Sequence, residues 1–315
     1  MVAPVQSDLT IKFQKAYFAP RYWPTWLFMG FVWLGSNLPR PIGNKLGDGL
    51  GWCFKKLNKK RRHIVVINLR LCFPQLSEQQ RGVILDDHYR FYGRSVIDLG
   101  LSWWAPFKRL EKLIEFKGKT AYLDTLKQHN VIVVVPHFTG LDGAACFMTS
   151  FAPTISMMKA QKNELLNWRL WKGRTRHQPT RVIMREQGLR PLIKATKKGT
   201  ACLYLPDEDF GDTSFTVFAP FFGHPNSTLT ALSRMAKLSN AKVIPMFPKM
   251  LENGHYEVEF KPAIENFPSG DDLQDAIVLN KVIEEGVSAA PAQYLWTLQW
   301  FRSQPDNGPS PYFNN

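Results

Sequence analysis

The spacing of apolar positions changes character near residue 113 of this chain. Residues 41–112 have the pattern of basic helices, and Ser77-Glu78-Gln79-Gln80 has the form of a capping box that begins a helix running to about Leu99. From residue 113 onward, short apolar runs alternate with helix-like segments. The predicted strands are 131–135, 155–158, 201–205, 243–247 and 255–261, and the predicted helices are 140–149, 163–172, 187–198, 227–239 and 272–289.

This alternation predicts an α/β fold with a mixed central sheet flanked by helices. The chain divides into three predicted parts: an N-terminal membrane anchor at 1–40, a basic helical segment at 41–112 and an α/β domain at 113–315. Ligands of such sheets bind beyond the carboxyl ends of the strands. The residues that follow the predicted strands at 131–135 and 201–205 are therefore candidates for a functional site.

A long uncharged segment lies near the N-terminus. No charged residue occurs from Tyr22 to Pro39, a stretch of about 18 residues, which is near the lower limit for a helix that crosses a bilayer. Aromatic residues at both ends suit the membrane interface, so we expect an N-terminal membrane-anchoring helix, either spanning or lying in one leaflet. A buried core helix is the alternative. Basic residues at 55–62 follow it, and we expect them to face the cytoplasm and bind anionic lipid.

Composition narrows the class of partner. The chain has 315 residues, with 44% hydrophobic and 13% aromatic residues, which suits a protein that meets lipid. Its net charge of +14 favours an anionic partner such as a membrane surface, a phosphorylated lipid or an acidic carrier protein. Nucleic acid is the least favoured partner, because the basic residues show no interleaved aromatic platform. The four scattered Cys form no C-x-x-C pair, so we predict neither a metal site nor a disulfide framework.

His137 carries the clearest chemical signal. It follows the apolar run Val131 to Val135 and Pro136, and Asp142 stands five positions further on, at the start of a predicted helix. Of the seven His in the chain, only this one has an acid at that spacing. A His paired with an acid can deprotonate a hydroxyl group, which makes His137 and Asp142 candidate catalytic residues. The alternative is that Thr139-x-x-Asp142 is a capping box.

Two further segments are candidates for substrate binding. Residues 173–198 contain a basic cluster, including Arg174, Arg176, Arg185 and Arg190, whose guanidinium groups suit phosphate, although each taken singly also fits a solvated surface. Asp207 and Asp209 follow the predicted strand at 201–205. For these two aspartates the alternative is a structural role in a turn.

Several motifs together resemble one known family. The chain is similar over nearly its whole length to the bacterial late acyltransferases of lipid A biosynthesis, the lauroyl and myristoyl transferases of the lysophospholipid acyltransferase superfamily. The family usually has His-Arg-Arg-Phe-Lys near the C-terminus, where this chain has Thr297-Leu298-Gln299-Trp300-Phe301-Arg302, so one basic contact is missing. The matching motifs, in order, are Pro20-Arg21-Tyr22-Trp23, Asn68-Leu69-x-x-Cys72-Phe73-Pro74, His137-Phe138-x-x-x-Asp142, Gly173-Arg174-x-Arg176, Pro206-Asp207-x-Asp209-x-Gly211 and Pro291-x-Gln293-Tyr294-x-Trp296.

The resemblance implies a membrane-associated O-acyltransferase. It would move a fatty acyl chain of lauroyl or myristoyl size from acyl carrier protein directly to a hydroxyl of a phosphorylated lipid A precursor. His137 would be the general base and Asp142 would orient it, while Arg174, Arg176, Arg185 and Arg190 would hold phosphate. The implied partners are acyl carrier protein, the lipid A precursor and anionic membrane lipid. The resemblance implies no cofactor beyond the carrier thioester, and a site on the cytoplasmic face of the bacterial inner membrane.

Two other functions remain open at this point. A glycerolipid acyltransferase acting on lysophosphatidic acid uses the same pair of His and acid, although the motifs at 68–74 and 293–296 favour the lipid A branch. The second alternative is a non-enzymatic membrane protein that binds anionic lipid through its basic face. Replacing His137 separates the two classes, because only an enzyme would lose turnover.

Overall fold

The chain is helical before the first strand of the sheet. The computed structural model describes residues 10–176 and 180–313. The helical structure predicted for 41–112 is confirmed, and the capping box is present, with Ser77 Oγ accepting from the Gln80 N–H at 3.2 Å. The helices are α1 (Trp23–Asn37), α2 (Arg40–Leu57), α3 (Lys59–Cys72), α4 (Glu78–Trp104) and α5 (Phe107–Leu113).

From Ile114 onward, strands and helices alternate, as predicted. Its strands are β1 (Ile114–Lys117), β2 (Asn130–Val134), β3 (Thr154–Met158), β4 (Thr180–Met184), β5 (Ala201–Tyr204), β6 (Thr216–Phe221), β7 (His224–Leu229), β8 (Ala241–Met250) and β9 (Tyr256–Phe260). Its helices are α6 (Lys119–Gln128), α7 (Leu141–Met148), α8 (Glu164–Arg174), α9 (Arg190–Thr196), α10 (Ala231–Ser239) and α11 (Asp272–Ala289).

The central sheet is mixed, as predicted. Its seven strands lie in the order β1-β9-β8-β2-β5-β3-β4, and every neighbouring pair is parallel except β8 and β9. Strands β6 and β7 form a separate antiparallel hairpin. In the register between β2 and β5, Val134 faces Tyr204. The residues just beyond the carboxyl ends of these two strands are therefore neighbours, although 70 positions separate them in sequence.

Helices α2 and α4 pack closely against each other. A Cβ atom added to Gly93 would lie 2.1 Å from the carbonyl oxygen of Gly47, so only glycine permits this approach of the two backbones. Helix α4 in turn contacts the segment near residue 292, where buried His88 points Nδ1 at the Ala292 carbonyl at 3.2 Å. Helix α4 therefore packs against the C-terminal segment near residue 292.

Two predicted helices differ from the observed ones. Residues 227–229 of the helix predicted at 227–239 belong to β7, because Ser227 pairs with Phe218 across the hairpin. The helix predicted at 187–198 is shorter, because Gly188 adopts φ 67° and separates a short 3₁₀ turn from α9. Strands β1, β4, β6 and β7 were not predicted.

The uncharged N-terminal segment forms α1, which is 15 residues long. Among residues 10–176 and 180–313, no helix has both the length and the apolar character that crossing a bilayer requires. The predicted transmembrane helix is therefore not supported.

Candidate active site

His137 is held by a buried carboxylate, that of Asp207. The Nδ1 atom of His137 lies 2.7 Å from Oδ1 of Asp207, and the backbone N–H of His137 donates to Oδ2 at 2.8 Å. The hydroxyl of Tyr294 donates to the same Oδ2 at 2.9 Å. An ionised carboxylate only accepts hydrogen bonds, so the proton lies on Nδ1 and Nε2 is left as the basic nitrogen.

The charged groups around His137 raise the pKa of its imidazole. Burial and the charge of Arg174 lower the pKa of His137. The charge of Asp207, the hydrogen bond to it and the charge of Glu208 together outweigh them, so the pKa lies above its ordinary value of 6.5. Burial, and next the charge of Asp207, raise the pKa of Tyr294 well above its usual range, so its hydroxyl remains a donor. Glu208 is also close to the imidazole of His137, with its Oε1 4.0 Å from Nε2.

The fold explains how His137, Asp207 and Tyr294 come together. His137 and Asp207 follow β2 and β5, which are adjacent and in register. The C-terminal segment then closes over the loop after β2: the Thr139 N–H donates to the Gln293 carbonyl and the Leu295 N–H donates to the His137 carbonyl, each at 2.8 Å. These backbone bonds bring Tyr294 beneath the carboxylate of Asp207. A long-range contact therefore builds the site.

The spacing predicts Asp142 as the acid that orients His137, but the carboxylate bonded to Nδ1 is that of Asp207. Asp142 lies in the first turn of α7, and its Oδ1 accepts from Nη2 of Arg174 at 2.8 Å and from Nε at 3.1 Å. The capping-box alternative is not realised either, since Gly140 is the N-cap of α7 and no side chain caps it. Asp142 and Arg174 form an ion pair in the wall of the cavity described next.

The imidazole of His137 lines a cavity of about 660 Å³, which is a volume suited to a sizeable organic ligand. Most of its wall is apolar. Among the described residues, no cluster of three or more His, Cys, Asp and Glu is arranged to hold a metal. The apolar lining includes Met157, Met158, Leu189, Leu203, Leu205, Phe210, Phe215, Leu229 and Ala231, and the charged lining consists of Asp142, Lys159, Arg174, Arg185, Glu208 and Arg234.

The other predicted arginines divide between the cavity and the rest of the fold. Arg185 lines the cavity, where Nη2 contacts Glu208 at 2.6 Å. Arg176 instead donates to backbone carbonyls at the end of α4, including that of Ser102 at 3.1 Å. Arg190 is exposed at the start of α9 and does not line the cavity. Sequence reasoning missed Lys159 and Arg234 as cavity residues, because no local motif marks either one.

Asp209 has a structural position rather than one in the cavity wall. Its side chain is buried and accepts from the N–H and hydroxyl of Ser303 at 2.7 and 2.8 Å, and from the Gly211 N–H at 2.8 Å. It therefore ties the C-terminal segment to the loop after β5. The turn interpretation of the sequence applies to Asp209, whereas Asp207 contacts His137 directly.

An oriented imidazole at the end of an apolar cavity is the arrangement expected of an acyltransferase whose donor carries a hydrocarbon chain. Residues 10–303 match the family model described as bacterial lipid A biosynthesis acyltransferase. The chain belongs to this family.

Characterised relatives cover almost the whole chain. A lipid A biosynthesis acyltransferase of Haemophilus influenzae is 36% identical over 298 residues, covering 93% of this chain and 92% of that protein. The lipid A biosynthesis lauroyltransferase of Escherichia coli is 34% identical over 304 residues, covering 96% and 98%. The palmitoleoyltransferase of the same organism is 32% identical over 301 residues, covering 93% and 96%. The relatives thus include enzymes named for different acyl chains.

Proposed function

We propose that this protein transfers a fatty acyl chain from acyl carrier protein to a hydroxyl of a phosphorylated lipid A precursor, with His137 as general base. The observation that carries the proposal is the imidazole of His137, bound through Nδ1 to Asp207 and exposed through its side chain to an apolar cavity. Membership of the lipid A acyltransferase family supports the reaction class and the acceptor.

Direct transfer accounts for the chemistry. Nε2 of His137 takes the hydroxyl proton as the hydroxyl oxygen attacks the thioester carbonyl, and a tetrahedral oxyanion forms. The carbon–sulfur bond then breaks, the ester remains, and the imidazolium returns its proton to the leaving thiolate. General base catalysis of this kind contributes roughly 10²–10⁴ in rate. Asp207 stabilises the imidazolium and fixes the tautomer, and Tyr294 holds Asp207 in place.

A donor for the oxyanion is available at the start of α7. The N–H groups of Thr139 and Leu141 already donate to the carbonyls of Gln293 and Phe138, whereas the N–H of Asp142, which also lines the cavity, has no backbone partner among the described residues. The first N–H groups of a helix lack partners within the helix and lie at the positive end of its dipole, where a developing oxyanion is stabilised. We assign the oxyanion to this turn. Arg174, whose position depends on Asp142, adds positive charge to the same wall.

The two substrates find suitable surfaces in and around the cavity. The apolar wall suits the acyl chain, and Phe215 at its rim fits that role, whereas Phe221 is buried in the core. Arg174 and Arg185 are the predicted phosphate-binding residues that line the cavity, and their planar guanidinium groups bind phosphate with two hydrogen bonds. Arg190, exposed on α9, suits the more peripheral contacts of a large acceptor or carrier.

Exposed apolar residues on α1 support binding at a membrane surface. Trp23, Leu27 and Leu34 are 59%, 76% and 54% exposed, and helical spacing puts them on one side of α1. Apolar side chains clustered on one side of a surface helix suit insertion into the lipid interface, and the basic residues at 55–62 suit anionic head groups. We propose attachment at the cytoplasmic face of the bacterial inner membrane.

An acyl-transfer assay tests the proposal. Purified protein in detergent would receive acyl carrier proteins of increasing chain length together with a lipid A precursor, in parallel with His137→Ala. His129→Ala is the matched control, since His129 is exposed at the end of α6. We expect product from the wild type and from His129→Ala, and a loss of several orders of magnitude in His137→Ala. Activity on lysophosphatidic acid alone would assign the protein to the glycerolipid branch.

A further inference from the structure

A second cavity adjoins the catalytic one. It has a volume of about 290 Å³, and we call it the α3 cavity. Tyr92 and Leu295 line both cavities and therefore form the wall between them. Its other lining residues are Phe54, Asn58, Arg61, Tyr89, Thr297 and Leu298.

Arg61 of the α3 cavity lies close to the reacting centre. Its Nη1 donates to the Thr297 carbonyl at 2.7 Å, while the Leu295 N–H donates to the His137 carbonyl at 2.8 Å. The three residues between these contacts span at most about 10 Å. The guanidinium group of Arg61 is therefore within roughly 16 Å of the His137 backbone.

The α3 cavity carries polar groups that the fold leaves without full partners. Tyr89 is 2% exposed, and its hydroxyl has no hydrogen-bond partner among the described residues. A buried hydroxyl without a partner is uncommon and costly, and a bound acceptor would remove that cost. Arg61 forms no ion pair with any described residue, so most of its N–H donors remain for a ligand.

The surface around this cavity is basic and apolar together. Lys56, Lys59 and Lys60 are exposed beside Arg61. Trp52 and Leu57 are 62% and 83% exposed on the same stretch of chain. Cations interleaved with exposed aromatic and aliphatic side chains suit the head-group region of an anionic membrane. This surface suits an acidic protein less well, because the exposed side chain of Leu57 is stabilised by contact with lipid.

We propose that the α3 cavity binds a phosphate group on a lipid head group, held by Arg61 and Tyr89, and that the acceptor lipid reaches His137 from this side. Arg61 supplies a guanidinium fork for the phosphate oxygens, and Tyr89 supplies a neutral donor. This site is additional to Arg174 and Arg185 in the catalytic cavity. The identity of the acceptor rests on the proposed function, whereas the phosphate site itself does not.

Binding of a short phospholipid tests the site without turnover. Dihexanoyl phosphatidic acid would be titrated into the full-length protein in detergent by calorimetry, with dihexanoylglycerol as the probe that lacks phosphate. The variants are Arg61→Gln and Tyr89→Phe. Arg70→Gln is the matched control, since it removes a charge from the exposed surface of the same helix and lines neither cavity. Unfolding temperatures would verify that all variants fold.

We expect Arg61→Gln to weaken phosphatidic acid binding roughly 10-fold or more and Tyr89→Phe about 5-fold, with no change for Arg70→Gln or for the diacylglycerol. Equal affinities in all proteins, or an equal loss in Arg70→Gln, would overturn the proposal. If transfer activity proves absent but the binding difference persists, the proposed function fails and the phosphate site stands.

Two further arms identify the source of the phosphate. In the acceptor case, Arg61→Gln raises the KM for the lipid A precursor and leaves the KM for the acyl donor unchanged. If the acceptor KM is unchanged but flotation onto vesicles of equimolar phosphatidylcholine and phosphatidylglycerol falls, the phosphate belongs to a membrane phospholipid and access of the acceptor from this side is refuted. A rise in the KM for acyl carrier protein alone would assign the cavity to the donor and overturn the proposal.

Discussion

Replacing Asp207 tests whether Asp207, rather than Asp142, is the acid that orients His137. Its carboxylate accepts from Nδ1 and the backbone N–H of His137 and from the hydroxyl of Tyr294, at 2.7, 2.8 and 2.9 Å. A hydrogen bond to a charged group is worth roughly 1.5–3 kcal/mol. Loss of the imidazole bond in Asp207→Asn therefore lowers kcat by roughly 10- to 100-fold, and the destabilised imidazolium adds to that loss.

The pH profile gives this variant a distinctive signature. The base must be neutral, so activity rises as pH passes upward through the pKa of His137, which Asp207 holds above the ordinary value of 6.5. Without the charge of Asp207, the pKa of His137 falls, because burial and the charge of Arg174 lower it and only the charge of Glu208 still raises it. The acidic limb therefore moves to lower pH as kcat falls.

The assay is kcat and kcat/KM for acyl transfer across pH, with Asp142→Asn as the matched variant. Asp142 pairs with Arg174, so its loss reduces transfer while leaving the acidic limb near that of the wild type. If Asp142→Asn moves the limb and Asp207→Asn does not, the assignment of Asp207 is refuted.

Three other substitutions test packing and the use of the cavity. Asn68→Ala removes the two 2.8 Å bonds that Asn68 donates to the carbonyls of Trp296 and Leu298, and the bond that its Oδ1 accepts from the hydroxyl of Tyr312. It should cost about 2–4 kcal/mol of unfolding free energy in a denaturant titration. Gly93→Ala should cost about 2–3 kcal/mol because α2 and α4 must separate, whereas Gly82→Ala, with open space at its Cβ, should not destabilise the protein. Ala231→Phe should shift the preferred donor toward shorter acyl chains, and an unchanged chain-length profile would exclude this wall from the acyl site.

The sequence was sufficient for the alternation of strands and helices and for the position of His137. Five of the strands were predicted from their apolar residues, which form a compact run in Asn130–Val134 and alternate with glutamates in Tyr256–Phe260. The short strand Thr180–Met184 was not predicted, because it lies within the basic cluster at 173–198 and has only three consecutive apolar residues, 182–184. Hydrophobic pattern therefore identifies central strands more readily than edge strands.

The partner of His137 could not be obtained from local spacing. Asp142 is near in sequence, but the order of strands puts Asp207 beside His137, and strand order is a long-range property. The rule that carboxyl ends of parallel strands gather at one edge made Asp207 a candidate. Only the adjacency of β2 and β5, with Val134 facing Tyr204, makes it the contact.

The measurement that tests the central claim most directly is a single turnover with rapid quenching, followed by the mass of both lipid and protein. Carrier protein charged with a fatty acyl thioester and lipid A precursor would be mixed with an excess of enzyme, either wild type or His137→Ala. Direct transfer with His137 as base predicts acylated lipid in the first turnover of the wild type, an unchanged protein mass throughout, and no product with His137→Ala on the same timescale. An acylated wild-type protein that decays as product forms, or undiminished transfer by His137→Ala, would contradict the account.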